Sequence, residues 1–169
     1  MSSLVNQMIL DFSDAQTTGD WQAVDDRIMG GSSQSTPEHV AGMGLRFTGT
    51  VSLANNGGFA SIRCRSGQWD LSRYAGLKMR LRGDGNTYKF SLRTDHFFDG
   101  ISYQAAFTTD RDLWQEIELP FAGFTPTHHG VKLQTVAPLD TSGITSLGLF
   151  IADRQEGPFR LDVTWIKGI

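Results

Sequence analysis

Asn55 and Asn56 stand directly before Gly57 and Gly58 in the stretch VSLANNGGFASIRCR, residues 51–65. Two readings fit those four residues. Asn and Gly tolerate a positive φ, so they suit the tight reversal of a β-hairpin. Side-chain amides also offer donors and an acceptor, so Asn55 and Asn56 are candidates for holding a ligand or partner. A second constellation is cationic. Arg63, Arg65, Lys78, Arg80, Arg82, Lys89 and Arg93 each follow or precede an apolar residue in alternating segments. If those segments are neighbouring strands, the cations form one charged sheet face. Arginines on such a face can fork onto carboxylates or phosphates. The ordinary alternative is a solvated face, or one neutralised by Asp84, Asp95 and Glu118. Arg63, Arg80 and Arg93 are expected to converge beside Tyr103, Gln104 and the two asparagines.

Other chemistry finds less support. Asp25, Asp26, Asp84, Asp95, Asp99 and Asp153 supply oxygen donors, but their spacing matches no calcium loop. His128 and His129 are adjacent, and neighbours in a strand point to opposite faces, which does not suit one zinc ion. Cys64 is the only cysteine. That excludes an internal disulfide, and its apolar alternation reads as a buried core position. Gly30-Gly31-Ser32-Ser33 lacks the trailing glycine of a nucleophile elbow. Gly83-Asp84-Gly85 lacks the spacing of a dinucleotide fingerprint. Asp26 and Glu156 are the carboxylates that could flank a sugar bond. No catalytic residue, metal or cofactor is expected, and the chain is not expected to be an enzyme.

The elements that must position these residues read as strands. Leu45, Phe47, Gly49, Val51 and Leu53 share one parity, as do Ala60, Ile62 and Cys64. Leu77, Met79 and Leu81 alternate with Lys78, Arg80 and Arg82. After residues 83–86, Tyr88, Phe90 and Leu92 alternate with Lys89, Ser91 and Arg93. This pair is the clearest predicted hairpin. Residues 8–12, 102–107, 114–119, 144–153 and 158–166 supply further strands. Residues 144–152 are apolar at both parities, as in a central strand. Residues 32–38 read as an exposed polar loop. The predicted core is Phe47, Ile62, Met79, Phe90, Phe107, Ile117, Leu149, Phe159, Leu161 and Trp165. The fold class is all-β, an antiparallel β-sandwich forming a single domain over residues 1–169.

Composition sets the remaining bounds. The 169 residues are 39% hydrophobic and 20% charged, which suits a soluble globule. A net charge of −3 argues against a nucleic-acid partner. The first residues lack a basic n-region, the first arginine is Arg27, and no apolar run is long enough to span a bilayer. A cytoplasmic protein without membrane insertion is the expectation.

Taken in order, these segments resemble the family of complex I intermediate-associated proteins. Members share a W…V-N-D-x-V-M-G-G-x-S segment, an N-N-G-G-F-A-S-x-R segment, an R-G-D-G-x-x-Y segment, a Y-Q segment, an L-P-F-x-x-F segment and a G-P-F-x-L-x-x-x-W-I ending. Here they run from Trp21 to Ser32, Asn55 to Arg63, Arg82 to Tyr88, Tyr103-Gln104, Leu119 to Phe124, and Gly157 to Ile166. Asp25 and Arg27 depart, standing where Asn and a smaller residue are usual. The resemblance covers nearly the whole chain and implies a jelly roll of the galactose-binding-like type, in a bacterial member. It also implies a non-enzymatic interaction module: an assembly factor or chaperone whose partners are subunits of a membrane complex like respiratory complex I. The expected binding surface comprises Asp26, Met29, Gly30, Gly31, Asn55, Asn56, Arg63, Arg80, Arg93, Tyr103, Gln104 and Asp153. The alternative is a carbohydrate or small-ligand binding module. In that case Trp69, Trp114, Tyr103, Gln104, Asn55, Asn56 and Asp153 would stack on and hydrogen-bond a sugar ring.

Overall fold

The computed structural model describes residues 7–25, 31–54, 58–65, 67–97, 100–128, 131–134, 136 and 138–169. Its strands are β1 (Gln7–Asp11), β2 (Trp21–Ala23), β3 (Gln34–Val40), β4 (Gly44–Val51), β5 (Ala60–Cys64), β6 (Gly76–Arg82) and β7 (Thr87–Arg93). Then follow β8 (Ser102–Thr108), β9 (Trp114–Pro120), β10 (Thr125–His128), β11 (Val131–Lys132), β12 (Ser146–Ile151) and β13 (Gly157–Gly168). A short helix, α1 (Ala15–Gly19), is N-capped by Asp14, whose carboxylate accepts the Gln16 N–H at 2.9 Å.

Two antiparallel sheets face each other. The first runs β3-β4-β13-β6-β9, with β1 beside the C-terminal half of β13. The second runs β11-β10-β8-β7-β12-β5-β2. Period-two alternation turns one side of each strand inward. Leu45, Phe47, Met79, Leu81, Phe159 and Leu161 of the first sheet meet Ile62, Tyr88, Phe90, Leu147 and Leu149 of the second in one buried cluster. Phe47, Tyr88 and Phe159 make edge-to-face contacts, with centroids 4.8–6.4 Å apart.

Both predicted hairpins are corrected. β4 and β5 lie in different sheets, so the 52–59 connection bridges the sandwich. β6 and β7 also lie in different sheets. The reason is that alternation shows which side of a strand is apolar and not which strand lies next to it. Residues 32–38 are not simply a loop, since Gln34–Val40 forms the edge strand β3. Pro37 fits there because an edge strand has one side that needs no donor. Two predicted core residues differ. Ile117 is half-buried, because β9 is an edge. Trp165 is half-buried and faces outward, because the register of β13 on β6 shifts between Val163 and Trp165.

Phe90 is fully buried at the centre of the second sheet, opposite Leu149 and Ala105. Phe90→Ala is expected to cost about 3–5 kcal/mol through lost transfer energy and a residual cavity. Urea unfolding midpoints of the two proteins check this.

Candidate functional site

The segments before residue 26 and after residue 57 are tied by one carboxylate. Asp25 Oδ2 accepts the Ser35 N–H at 2.9 Å, and Oδ1 accepts the Ser35 hydroxyl at 2.5 Å and the Ser61 N–H at 3.0 Å. Ser61 donates its hydroxyl to the Val24 carbonyl, and Val24 N–H donates to the Ser61 carbonyl at 2.8 Å. Ser35 belongs to the first sheet and Ser61 to the second, so Asp25 joins the sheets. Both carboxylate oxygens are used as acceptors. An amide at this position would turn an NH₂ toward one of those donors. Nearby, fully buried Ser33 accepts the Ser52 N–H at 2.9 Å, and Glu156 accepts the Leu53 N–H at 3.2 Å. Asp26, Met29, Gly30, Asn55 and Asn56 lie outside the described residues. Gly31 is half-buried just before β3.

Arg63, Arg93 and Gln104 stand on the outward face of the second sheet. Register sets one row across it: Gln22, Arg63, Gly148, Ser91, Gln104 and Thr125. A Cβ at Gly148 would fall 2.3 Å from Ser91 Oγ, so any larger residue would have to displace that hydroxyl. The next row holds Ser61, Phe150, Lys89 and Ala106. Lys89 lies 5.5 Å from the half-buried Phe150 ring and pairs with Asp153 at 3.3 Å. Arg93 is buried and donates to the Gly100 carbonyl at 2.7 Å. Gln104 donates to Ser102 Oγ at 3.2 Å. Tyr103 takes the opposite parity and is buried in the core, so it does not share a face with Gln104.

Arg80 does not join Arg63 and Arg93. It stands on the outward face of the first sheet, across the sandwich, with Lys78 and Arg82. The expected single cationic face is therefore two faces. On the first, Asp162 is 1% exposed. It accepts Arg46 Nε at 2.8 Å and Arg82 Nη2 at 3.2 Å. Asp162 thereby raises the pKa of the Arg46 guanidinium. Met43 Sδ covers both guanidinium groups. Trp114 lies 5.1 Å from Arg80 and 4.9 Å from Arg82. Lys167 lies 4.2 Å from Trp165. The ring-stacking set expected for a sugar is divided too. Trp114 is on this face, Tyr103 is in the core, and Trp69 packs half-buried against the core beside Ile144.

Sequence reasoning missed Gly148, Phe150 and Asp162. In the alternating stretch 159–165, Asp162 shares the polar parity of Arg160, which signals an outward position but not its burial. Among the described residues, no three His, Cys, Asp or Glu side chains gather as a metal site.

The family profile described as Complex I intermediate-associated protein 30 (CIA30) matches residues 10–163. The chain belongs to this family. The mitochondrial complex I intermediate-associated protein 30 of Mus musculus is 31% identical over 102 residues, covering 58% of this chain and 31% of the mouse protein. That of Drosophila melanogaster is 27% identical over 182 residues, covering 94% of this chain and 61% of the fly protein. The chain thus spans only part of the length of these CIA30 relatives. The family 11 carbohydrate-binding module from Clostridium thermocellum shares the fold, with a TM-score of 0.70, 21% identity, and coverage of 99% of this chain and 97% of the module. These relationships agree with the jelly-roll expectation. They overturn the cytoplasmic assignment, because the named relatives are mitochondrial proteins. No helix among the described residues is long and apolar enough to cross a membrane.

Removing the Asp25 carboxylate leaves the Ser35 and Ser61 N–H groups unpaired. Asp25→Ala is expected to cost about 1–3 kcal/mol. Faster hydrogen exchange at those two amides, with the β6 amides unchanged, checks that the loss is local.

Proposed function

We propose that this chain is a non-enzymatic interaction module that assists the assembly of a membrane protein complex of the complex I type. The carrying observation is membership of the CIA30 family over residues 10–163, with relatives named for complex I intermediates. The geometry supports a binding role. Cations, amides and indoles are held on two rigid sheet faces, and fixed polar groups on a rigid frame favour specificity in partner choice. The partners in this reading are subunits exposed before the complex is complete.

Deleting the gene and separating native membrane complexes tests it. The fully assembled complex should fall and a smaller intermediate should accumulate, with re-expression restoring the pattern. An unchanged complex profile overturns the reading.

A second reading, carbohydrate binding, is favoured by one observation. On the second sheet, the Phe150 ring stands beside bare Gly148, with Arg63 and Gln104 in the adjoining row. An aromatic ring flanked by hydrogen-bonding side chains is the layout a sugar ring uses. The C. thermocellum module sharing the fold was solved with a β-1,3-1,4-mixed-linked tetrasaccharide. Calorimetric titration of that oligosaccharide should give heat that Phe150→Ala abolishes. No heat with the parent chain removes this reading.

A further inference from the structure

Charge pairing on the outward face of the first sheet is uneven. Asp162 serves Arg46 and Arg82, Glu116 serves Lys78 at 3.2 Å, and Asp112 serves Arg160 at 3.4 Å. Asp11 stands opposite Trp165, yet its carboxylate accepts the Ser13 N–H and hydroxyl at 3.0 and 2.7 Å. Glu118 lies opposite Lys78 in register. Arg80 and Lys167 have no carboxylate within ion-pair distance among the described residues. Each lies instead over an indole, Arg80 over Trp114 and Lys167 over Trp165. Trp165 is opposite Arg80 in register, Glu116 is opposite Arg80 on β9, and Trp114 is in the next outward row opposite Arg82, so Trp114, Arg80, Trp165 and Lys167 run as a diagonal file across β9, β6 and β13. Met8, 44% exposed, extends it on β1 opposite Lys167.

We propose that this file is a docking surface for a carboxylate-rich segment of a protein partner. The inference rests on reading the chain as an interaction module and names the face and the chemistry. A guanidinium lying on an indole has its flat face shielded and its N–H edges free to fork onto a carboxylate. Tryptophan, arginine and methionine are the residues enriched at protein interfaces. Arg82, beside the same Trp114, is held by Asp162 and backs the file from the neighbouring row. The occupant is protein rather than nucleic acid or lipid. Cations already cover the indoles, which leaves them poorly placed to stack on bases. The file also lies across the strands of a sheet face, not on a loop tip that could enter a bilayer.

The probe is a short synthetic peptide alternating Glu and Leu, followed by the indole N–H signals in nuclear magnetic resonance spectra. Trp114 and Trp165 should shift, while Trp21 and Trp69 stay. The double variant Arg80→Gln/Lys167→Gln should weaken binding about tenfold or more. If the double variant is unfolded by melting, Arg80→Lys replaces it: keeping the charge without the fork, it should bind more weakly than the parent, and binding equal to the parent's overturns the proposal. Lys132→Gln, on β11 of the other sheet, should leave binding unchanged. Raising salt should weaken the parent complex. Shifts elsewhere, or a double variant within twofold of the parent, overturn the proposal. So does tighter binding of phosphatidylserine vesicles or oligo-dT at the same tryptophans. Capture of complex I subunits from membranes separates the two readings. Capture by parent and double variant alike removes this face and keeps the assembly role. Peptide binding without any subunit capture keeps the face and removes the assembly role.

Discussion

The carboxylate of Asp162 is the fixed point of the first sheet. It is buried on a side of the sheet that would ordinarily be wet, and a buried charge is tolerated only when it is paired. Arg46 lies directly opposite it on β4, and Arg82 directly opposite it on β6. One carboxylate therefore specifies both neighbours of β13 and the register of each. Among the described residues, no other strand pairing in that sheet is tied by a buried carboxylate. Slipping β13 by one residue would turn Asp162 into the core and Leu161 out of it.

From that fixed point the outward face follows. β13 continues for 12 residues and changes its neighbour from β4 to β1 on the way. The irregularity between Val163 and Trp165 shifts the parity once. Inward positions before it are Phe159, Leu161 and Val163, and after it Ile166 and Gly168. Trp165 is thereby expelled to the surface beside Arg80. The aromatic–cation file exists because the strand bulges there. A regular strand would have buried that indole.

The sequence was legible where a single strand decides the outcome. The inward sides of β4, β5, β6 and β7 could be read from alternation alone, because one-sided burial demands it. Partnerships could not. Gly83 and Gly85 suggested a hairpin, yet the same turn chemistry carries the chain from one sheet to the other. Gly85, at φ 92°, serves either route. Since β5 and β7 belong to the second sheet and β6 to the first, Arg63 and Arg93 were separable from Arg80 only with the topology in hand. Tyr103 and Gln104 failed as a pair for a simpler reason: adjacent strand residues face opposite ways. Asp25 was legible as a departure but not as a clamp, because its donors come from residues 10 and 36 positions away.

The family motifs themselves turn out to meet in pairs. Asp25, in the Trp21 to Ser32 segment, holds Ser61 of the Asn55 to Arg63 segment. Asp84, in the Arg82 to Tyr88 segment, accepts the Tyr88 hydroxyl at 2.8 Å and the Arg160 N–H at 2.8 Å, within the Gly157 to Ile166 segment. Burial, with the Asp84 charge beside it, pushes the Tyr88 phenol pKa upward, so that hydroxyl stays a donor. These contacts tie sheet to sheet. The described parts of the motifs therefore record how the sandwich is held together more directly than what it binds. Of the docking file, Trp114, Arg80 and Lys167 lie outside every motif stretch, and only Trp165 lies within one. A fold held by motif clamps leaves such intervening positions free to differ between relatives, and partner choice can then change without loss of the frame.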